Sequence, residues 1–257
     1  MKKNVLKPIV ARRSTLLLAL LAAAFTACRT AELAVSDEIK TGATAYAVKG
    51  RQGFQVGQVL SFGEYKTSQV KRGWTFSYSI PFAARFSGAR EKLSFQQLGP
   101  GGRSAEVAFV SRFKETELSP LKDYFSLSAY YQNAFAGGIE LNGTNEGWEF
   151  IVQNVDGGGN SLKNNTLGFV RSSTDRTRID IIGLRELEGS PKLMTMTNVY
   201  GYEFRLDGQT IGAVSTVNNG KVWIKDNLHP ELKLVLASVA SGLILRTNVE
   251  EEALAAR

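Results

Sequence analysis

Catalysis needs nucleophiles, bases or metal ligands, and this 257-residue chain is sparing with them. It holds one cysteine, Cys28, and one histidine, His229. A lone thiol permits no intramolecular disulfide. One His with no other Cys leaves zinc and redox metals of the common N/S types without a ligand set. A serine triad would have to use His229, and no Gly-x-Ser-x-Gly elbow presents a serine. His229 precedes Pro230 at an expected helix start, so it reads as a loop or cap residue. The Gly-rich stretch Asp156-Gly157-Gly158-Gly159-Asn160-Ser161 lacks the Gly-Lys-Ser/Thr ending of a phosphate loop. It carries one carboxylate, too few for an ordinary Ca²⁺ site, and reads as a surface loop. What remains is glycosidase-type chemistry, which needs only two acids brought together by folding. Glu140, Glu146, Glu149, Glu186 and Glu188 are available for it. No metal or cofactor is expected.

The cysteine has a context of its own. Lys2, Lys3, Lys7, Arg12 and Arg13 precede an apolar run from Leu16 to Ala24, with no acid among them. A positive head before a short apolar run is the layout of a secretory signal. The run is too short to span a bilayer, which needs about 20 apolar residues. Directly after it stands Phe25-Thr26-Ala27-Cys28. This resembles the lipobox of bacterial lipoprotein precursors, with Phe25 where Leu is usual. The resemblance covers only about the first 28 residues. It implies cleavage before Cys28, a diacylglyceryl group on the thiol and commonly an acyl group on the freed amine. Two or more acyl chains, at about 0.8 kcal/mol per buried CH₂, hold a protein stably on a membrane. The expected organisation is a signal over 1–27, a lipidated tether or short first helix over 28–42, and one β-rich domain over 43–257. The expected location is the outer membrane, facing the periplasm.

Charge supports that division. The chain is +7, and five of its cations lie in the leader, so the remainder is near neutral. The high overall basicity is therefore no argument for nucleic-acid binding. Within the domain, residues 49–114 hold eleven Lys and Arg against three acids, interleaved with aromatics. Lys66, Lys71, Arg72, Arg85, Arg90 and Lys92 are the candidates for contact with anionic lipid or another envelope polymer. Alternation of solvated cations with buried aromatics is the competing explanation, and it needs no partner.

The elements that must position these residues are mostly strands. Phe54–Val56, Val59–Phe62, Trp74–Tyr78, Glu106–Val110, Phe125–Tyr131, Gly147–Val152, Leu167–Arg171 and Arg178–Leu184 read as strands between Gly, Asn, Asp and Ser punctuation. Near the C-terminus, Tyr202–Leu206, Thr210–Val217 and Lys221–Ile224 are joined by Asp207-Gly208 and Asn218-Asn219-Gly220. Those turn residues supply the positive φ of tight hairpins, so a three-strand meander is expected. A helix then follows over about 230–246, with Pro230 in its first turn. Leu234–Leu245 is apolar or small on every face, so it must be buried on every face. The expected fold is therefore all-β, an antiparallel barrel-like or strongly curved sheet around one buried C-terminal helix. That arrangement, carried by the 202–217 hairpin, the 221–224 strand and the 232–245 helix, resembles the tubby C-terminal and LURP-one/scramblase-like barrels. The resemblance implies a fold. Phosphoinositide binders occur in that family, but none of their lipid-contacting residues is matched here. The function expected is a lipid-anchored, non-catalytic binding or structural domain of the cell envelope; the alternative is an envelope hydrolase acting on glycans through a carboxylate pair.

Overall fold

In the computed structural model, residues 31–52, 56–73, 91–111, 135–152, 166–189 and 199–246 are described. Cys28, Arg85, Arg90, the 74–78 and 125–131 strands and the 156–161 loop lie outside them, as do Phe54 and Gln55.

The chain forms one antiparallel sheet. Its strands are β1 (Ala43–Ala47), β2 (Ser61–Phe62), β3 (Tyr65–Thr67), β4 (Lys71–Arg72), β5 (Glu91–Leu98), β6 (Ser104–Ser111), β7 (Phe135–Leu141), β8 (Gly147–Val152), β9 (Thr166–Ser172), β10 (Arg178–Leu184), β11 (Gly201–Leu206), β12 (Gln209–Ser215) and β13 (Lys221–Lys225). From β5 to β13 each strand pairs with the next in sequence, a continuous meander. At one end β13 pairs with β1, and at the other β5 pairs with β3, which pairs with β2. Beyond β3, β4 pairs with β5 as well, so β3 and β4 are two pieces of one interrupted strand. Just past β1, Lys49 bridges Ser61 of β2 through two backbone hydrogen bonds of 2.9 and 3.1 Å. This bridge joins the two ends of the path and makes a nearly closed, twelve-strand barrel. Closure removes the free edges through which open sheets aggregate.

The C-terminal meander follows its turn chemistry. Asp207 and Gly208 both have positive φ, as do Asn218 and Gly220; β12 and β13 pair in unbroken register, while the β11–β12 ladder shifts by a bulge between Phe204 and Arg205.

Inside the barrel lies α2 (Pro230–Leu245), buried at every residue from Leu234 onward. Its side chains share one core with the inward residues of the strands, among them Phe95, Phe109, Ile139, Phe150, Val170, Ile181, Phe204, Val214 and Val222. Burying each Leu, Val or Ile contributes about 1.5–3 kcal/mol, the main reason for the sheet to wrap. The polar atoms of the helix are matched. Ser238 Oγ donates to the Leu234 carbonyl at 2.8 Å, and Ser241 Oγ donates to Gln97 Oε1 of β5 at 2.7 Å, both in the dry interior. At the C-terminal end the Arg246 N–H bonds the Gly242 carbonyl, and Arg72 donates to the Leu245 carbonyl at 2.9 Å.

Helix and sheet approach closely at Phe109. A Cβ on Gly242 would lie 2.2 Å from the Phe109 ring, and a Cβ on Gly137, its neighbour on β7, would lie 2.1 Å from it. The ring thus fills a slot between a helical glycine and a strand glycine. It also stacks on Phe135 at 4.9 Å and meets Phe150 edge-on at 5.3 Å, so it cannot swing aside.

The segment expected as a tether or short first helix is docked on the barrel's outer wall from Glu32 onward. Leu33 bridges Leu187, and the Ala34 N–H bonds the Glu186 carbonyl. A six-residue helix, α1 (Asp37–Gly42), sets Ile39 against Ala213 and Trp223, a second apolar cluster outside the barrel. Lys221–Glu32 and Lys40–Glu188 ion pairs, at 3.1 and 2.8 Å, and a Lys225–Glu38 pair hold it in place. Glu203, itself buried, accepts hydrogen bonds from the Ser36 N–H and from Arg205, each 2.9 Å long. Packing therefore begins about ten residues before residue 43.

Replacing a mid-helix Gly by Ala ordinarily stabilises by up to about 1 kcal/mol. Here the sign reverses: Gly242→Ala is expected to cost about 1–3 kcal/mol by overpacking against Phe109. Chemical denaturation checks it, and Phe109→Leu in the same chain should recover part of the loss.

Candidate functional site

Two surfaces of the barrel gather side chains that could bind something: its outer wall at β3–β5 and its mouth where α2 begins.

On the wall, register decides which cations face out. Inward positions of β5 are Leu93, Phe95 and Gln97, so Lys92, Ser94, Gln96 and Leu98 face outward. Lys66 pairs with Leu98 and Lys71 with Ser94, which puts Lys66, Lys71 and Lys92 on the outward face together. Arg72 pairs with Leu93 and so faces inward. It bonds the Leu245 carbonyl at the C-terminal end of α2 and Gln58 Oε1 at 3.1 Å. A cation there complements the negative end of the helix dipole. Arg72 thus lies at the helix end and not in the outward row, because β4 alternates its two residues between the faces. Lys71 stays on the surface.

The acids named from sequence do not converge. Glu146 accepts the Trp148 indole N–H at 2.9 Å, Glu149 pairs with Arg171 at 2.5 Å, and Glu188 pairs with Lys40. Glu186 follows β10. Glu140 stands beside another acid, Glu106, directly across the β6–β7 ladder on the outward face. Burial, and then the charge of Glu106, raise the Glu140 pKa above its ordinary value. His229 occupies the N-cap position of α2 without a side-chain capping bond and pairs instead with Glu231. Among the described residues no group of three His, Cys, Asp or Glu could hold a metal ion, and no helix is long and apolar enough to cross a membrane.

The mouth was not anticipated from the sequence. Three turns meet there: Gly63-Glu64 between β2 and β3, Pro100–Arg103 between β5 and β6, and Asp226–His229 between β13 and α2. Together with Tyr46 and Tyr65 they enclose a cleft of about 280 Å³. Gly63, at positive φ, lets its turn lie against the Tyr46 ring, where a Cβ would come within 2.5 Å. The two tyrosine rings meet edge to face, 6.4 Å apart. Tyr65 is 5 % exposed. Burial, with smaller contributions from Tyr46 and Glu64, pushes its phenol pKa up to about 12. It therefore stays protonated, able to donate and to accept a hydrogen bond.

The cations at the mouth are already engaged. Arg103 bonds Glu231 at 3.4 Å and the Pro100 carbonyl at 3.3 Å, while Lys233 donates to the Asp226 carbonyl at 2.7 Å. The Asp226 carboxylate accepts from Thr44 Oγ1 at 2.7 Å. Among the described residues, the Tyr46 and Tyr65 hydroxyls and the Glu64 carboxylate have no hydrogen-bond partner. The cleft thus offers two phenols and one acceptor carboxylate to whatever enters it.

Two outcomes follow from this geometry. Arg72→Met should cost about 1.5–3 kcal/mol, the value of a charge-assisted hydrogen bond, whereas Lys71→Glu should shift stability by less than about 0.5 kcal/mol; denaturant melts of the two variants check the contrast. Glu140 has a raised folded-state pKa, so its contribution to stability is fully present below its ordinary value of 4.5 and falls as pH rises through the raised value. Glu140→Gln should therefore raise the melting temperature at pH 7, with a gain of about 0.2–1 kcal/mol from removing a like-charged cross-strand pair. At pH 4 that gain should vanish.

No protein-family model matches this chain, and no curated protein sequence or solved structure is significantly similar to it.

Proposed function

We propose that the protein is a lipid-anchored cell-envelope domain that binds rather than catalyses, held to the membrane through acyl chains on Cys28. The observation that carries this reading is Phe25-Thr26-Ala27-Cys28, set directly behind a basic head and a nine-residue apolar run. A thiol with no second cysteine in the sequence to pair with, placed at the processing position, has an evident use there as an attachment point. Two features of the domain are consistent with binding. The barrel interior is filled by α2, which leaves its mouth and outer wall as the places for a ligand. Four of the acids available for hydrolytic chemistry do not converge, and three of those are tied to a Trp, an Arg or a Lys elsewhere. Likeness to the tubby and LURP-one barrels rests on architecture alone, a helix enclosed by an antiparallel barrel, and adds no ligand.

The outward row of Lys66, Lys71 and Lys92 gives the domain a face for anionic lipid or another anionic envelope polymer. Each basic side chain near such a surface contributes roughly 1 kcal/mol, less with added salt.

Intact-mass measurement of protein purified from membranes tests the anchor. The expected result is a chain starting at Cys28 with added diacylglyceryl mass, and a Cys28→Ala protein released to the soluble fraction. A leader still attached, or membrane retention of Cys28→Ala, contradicts it. For the basic face, Lys66→Glu with Lys71→Glu should weaken binding of the unlipidated domain to anionic vesicles by about tenfold or more, two such charges being reversed. Binding indifferent to anionic lipid content would remove this part of the reading.

A further inference from the structure

The two ends of the barrel differ in their connections and in their charge. At the mouth every connection is short: 63–64, 99–103, 142–146, 173–177, 207–208 and 226–229. At the opposite end, where α2 finishes, 48–60, 73–90, 112–134, 153–165 and 185–200 each leave one strand and return to the next described one, and 216–220 is the short exception. The mouth turns carry five acids against Arg103 and Arg176. At the opposite end 48–60 and 73–90 carry Lys49, Arg51, Arg85 and Arg90 with no acid, the other connections are neutral, and residues 246–257 are −1. The mouth is thus net −3 and the opposite end net +3.

The connection 48–60 is tied down at its base. Lys49 bridges Ser61, Gln58 Nε2 donates to the Gly50 and Arg51 carbonyls, and Arg51 donates to the Thr216 and Asn218 carbonyls of the β12–β13 turn. Beyond these ties Val56 is 93 % exposed. A lone exposed apolar side chain is ordinary, but this one projects from the cationic end. Glu32 is fixed at the same end. Its carboxylate pairs with Lys221, the first residue of β13, and its carbonyl accepts the Glu188 N–H just past β10. Cys28 stands four residues before Glu32, and in any conformation that length reaches at most about 14 Å. The wall is taller than that: the eight residues of β5, at about 3.3 Å each and tilted as in a barrel, make it roughly 20 Å high. Acyl chains on Cys28 therefore reach a bilayer beneath this end and not one beneath the mouth. On the wall beside Glu32, Lys221, Lys40 and Lys225 are neutralised by Glu32, Glu188 and Glu38, so the free positive charge lies at the end.

We infer that the anchored barrel stands upright on the membrane, with the end where α2 finishes against anionic lipid headgroups and the mouth turned away from them. Lys49, Arg51 and Val56 belong to the docked end: cations near an anionic bilayer attract it, and an exposed apolar side chain enters its boundary. Of the outward row, Lys92 lies nearest this end and Lys66 nearest the mouth, so the row meets headgroups at Lys92 first. The cleft by Tyr46 and Tyr65 stays open on the side away from the bilayer. This orientation rests on the reading of Cys28 as a lipid attachment point and adds the surface that the anchor brings to the membrane.

The test uses the mature protein purified from membranes and reconstituted in phosphatidylethanolamine and phosphatidylglycerol vesicles containing a nitroxide-headgroup lipid. A fluorophore is placed on one introduced cysteine at a time, Cys28 being a thioether that takes no label. Val56→Cys and Asn219→Cys report the docked end, Asn145→Cys the mouth, and Lys66→Cys and Thr41→Cys two walls; all five sites are exposed, so the fold tolerates them. The expected result is nitroxide quenching severalfold stronger at positions 56 and 219 than at 145, 66 and 41. Quenching at 145 equal to that at 56 overturns the orientation, as does quenching at 66 or 41 equal to that at 56, which means a barrel lying on its side. Quenching at none of the sites in protein that floats with the vesicles overturns it too. Flotation separates the two failures: a protein that does not float has no anchor, and the orientation falls with the Cys28 reading, whereas one that floats with the wrong quenching pattern loses the orientation alone.

Discussion

A helix whose last twelve residues, Leu234–Leu245, have no polar face cannot expose them on a protein's surface, and the architecture of this chain answers that constraint. Leu234–Leu245 must be shielded on all sides, which a single flat sheet cannot do. A meander of consecutive antiparallel strands can curl far enough to enclose it, and the Lys49–Ser61 bridge then joins the two ends of the path. The depth of the helix is set by Phe109, whose ring fits only because Gly242 and Gly137 leave it space on either side. The two serines of the enclosed helix are paired, Ser241 with Gln97 and Ser238 with the Leu234 carbonyl. An unpaired hydroxyl there would cost as much as several buried methylenes gain.

Filling the barrel has a consequence for function. A barrel of this strand number could hold a ligand in its lumen, but here the lumen is core. Chemistry is displaced to the rim and the outer surface, where turns and alternate strand residues present polar groups. The mouth is therefore a by-product of how α2 enters: the turn before Pro230 must clear the strand ends, and the cleft lies between that turn and the two tyrosines. The outer wall is used in its own way, since α1 and the residues before it cover β12 and β13 with a second apolar cluster and a set of ion pairs.

Much of this was legible in the residues. Asp207-Gly208 and Asn218-Asn219-Gly220 announce their hairpins because positive φ is costly for most other residues, and β8 and β10 fall on the bounds read from alternation. The buried helix was legible because its apolar run has no polar stripe. Other elements were hidden for physical reasons. Strand β7 carries Phe135-Ala136-Gly137-Gly138, poor in β-formers, and Gly137 is there to admit a ring from the neighbouring strand, which no local pattern reveals. Strand β1 is Ala-Thr-Ala-Tyr-Ala, with little side chain to alternate. Arg72 was grouped with Lys71 because adjacent cations look alike in sequence. Only the pairing of β4 with β5 shows that one faces solvent and the other the end of a helix. The cleft was invisible because Tyr46, Tyr65 and Asp226 are brought together by closure of the sheet.

Native-state hydrogen exchange of the full chain tests the enclosed helix most directly. The amides of residues 234–245 should exchange only through global unfolding, at the same opening free energy as the slowest amides of β6, β9 and β12. If those helix amides instead exchange orders of magnitude faster than the strands, the helix leaves its place while the sheet persists, and the barrel is not built around it.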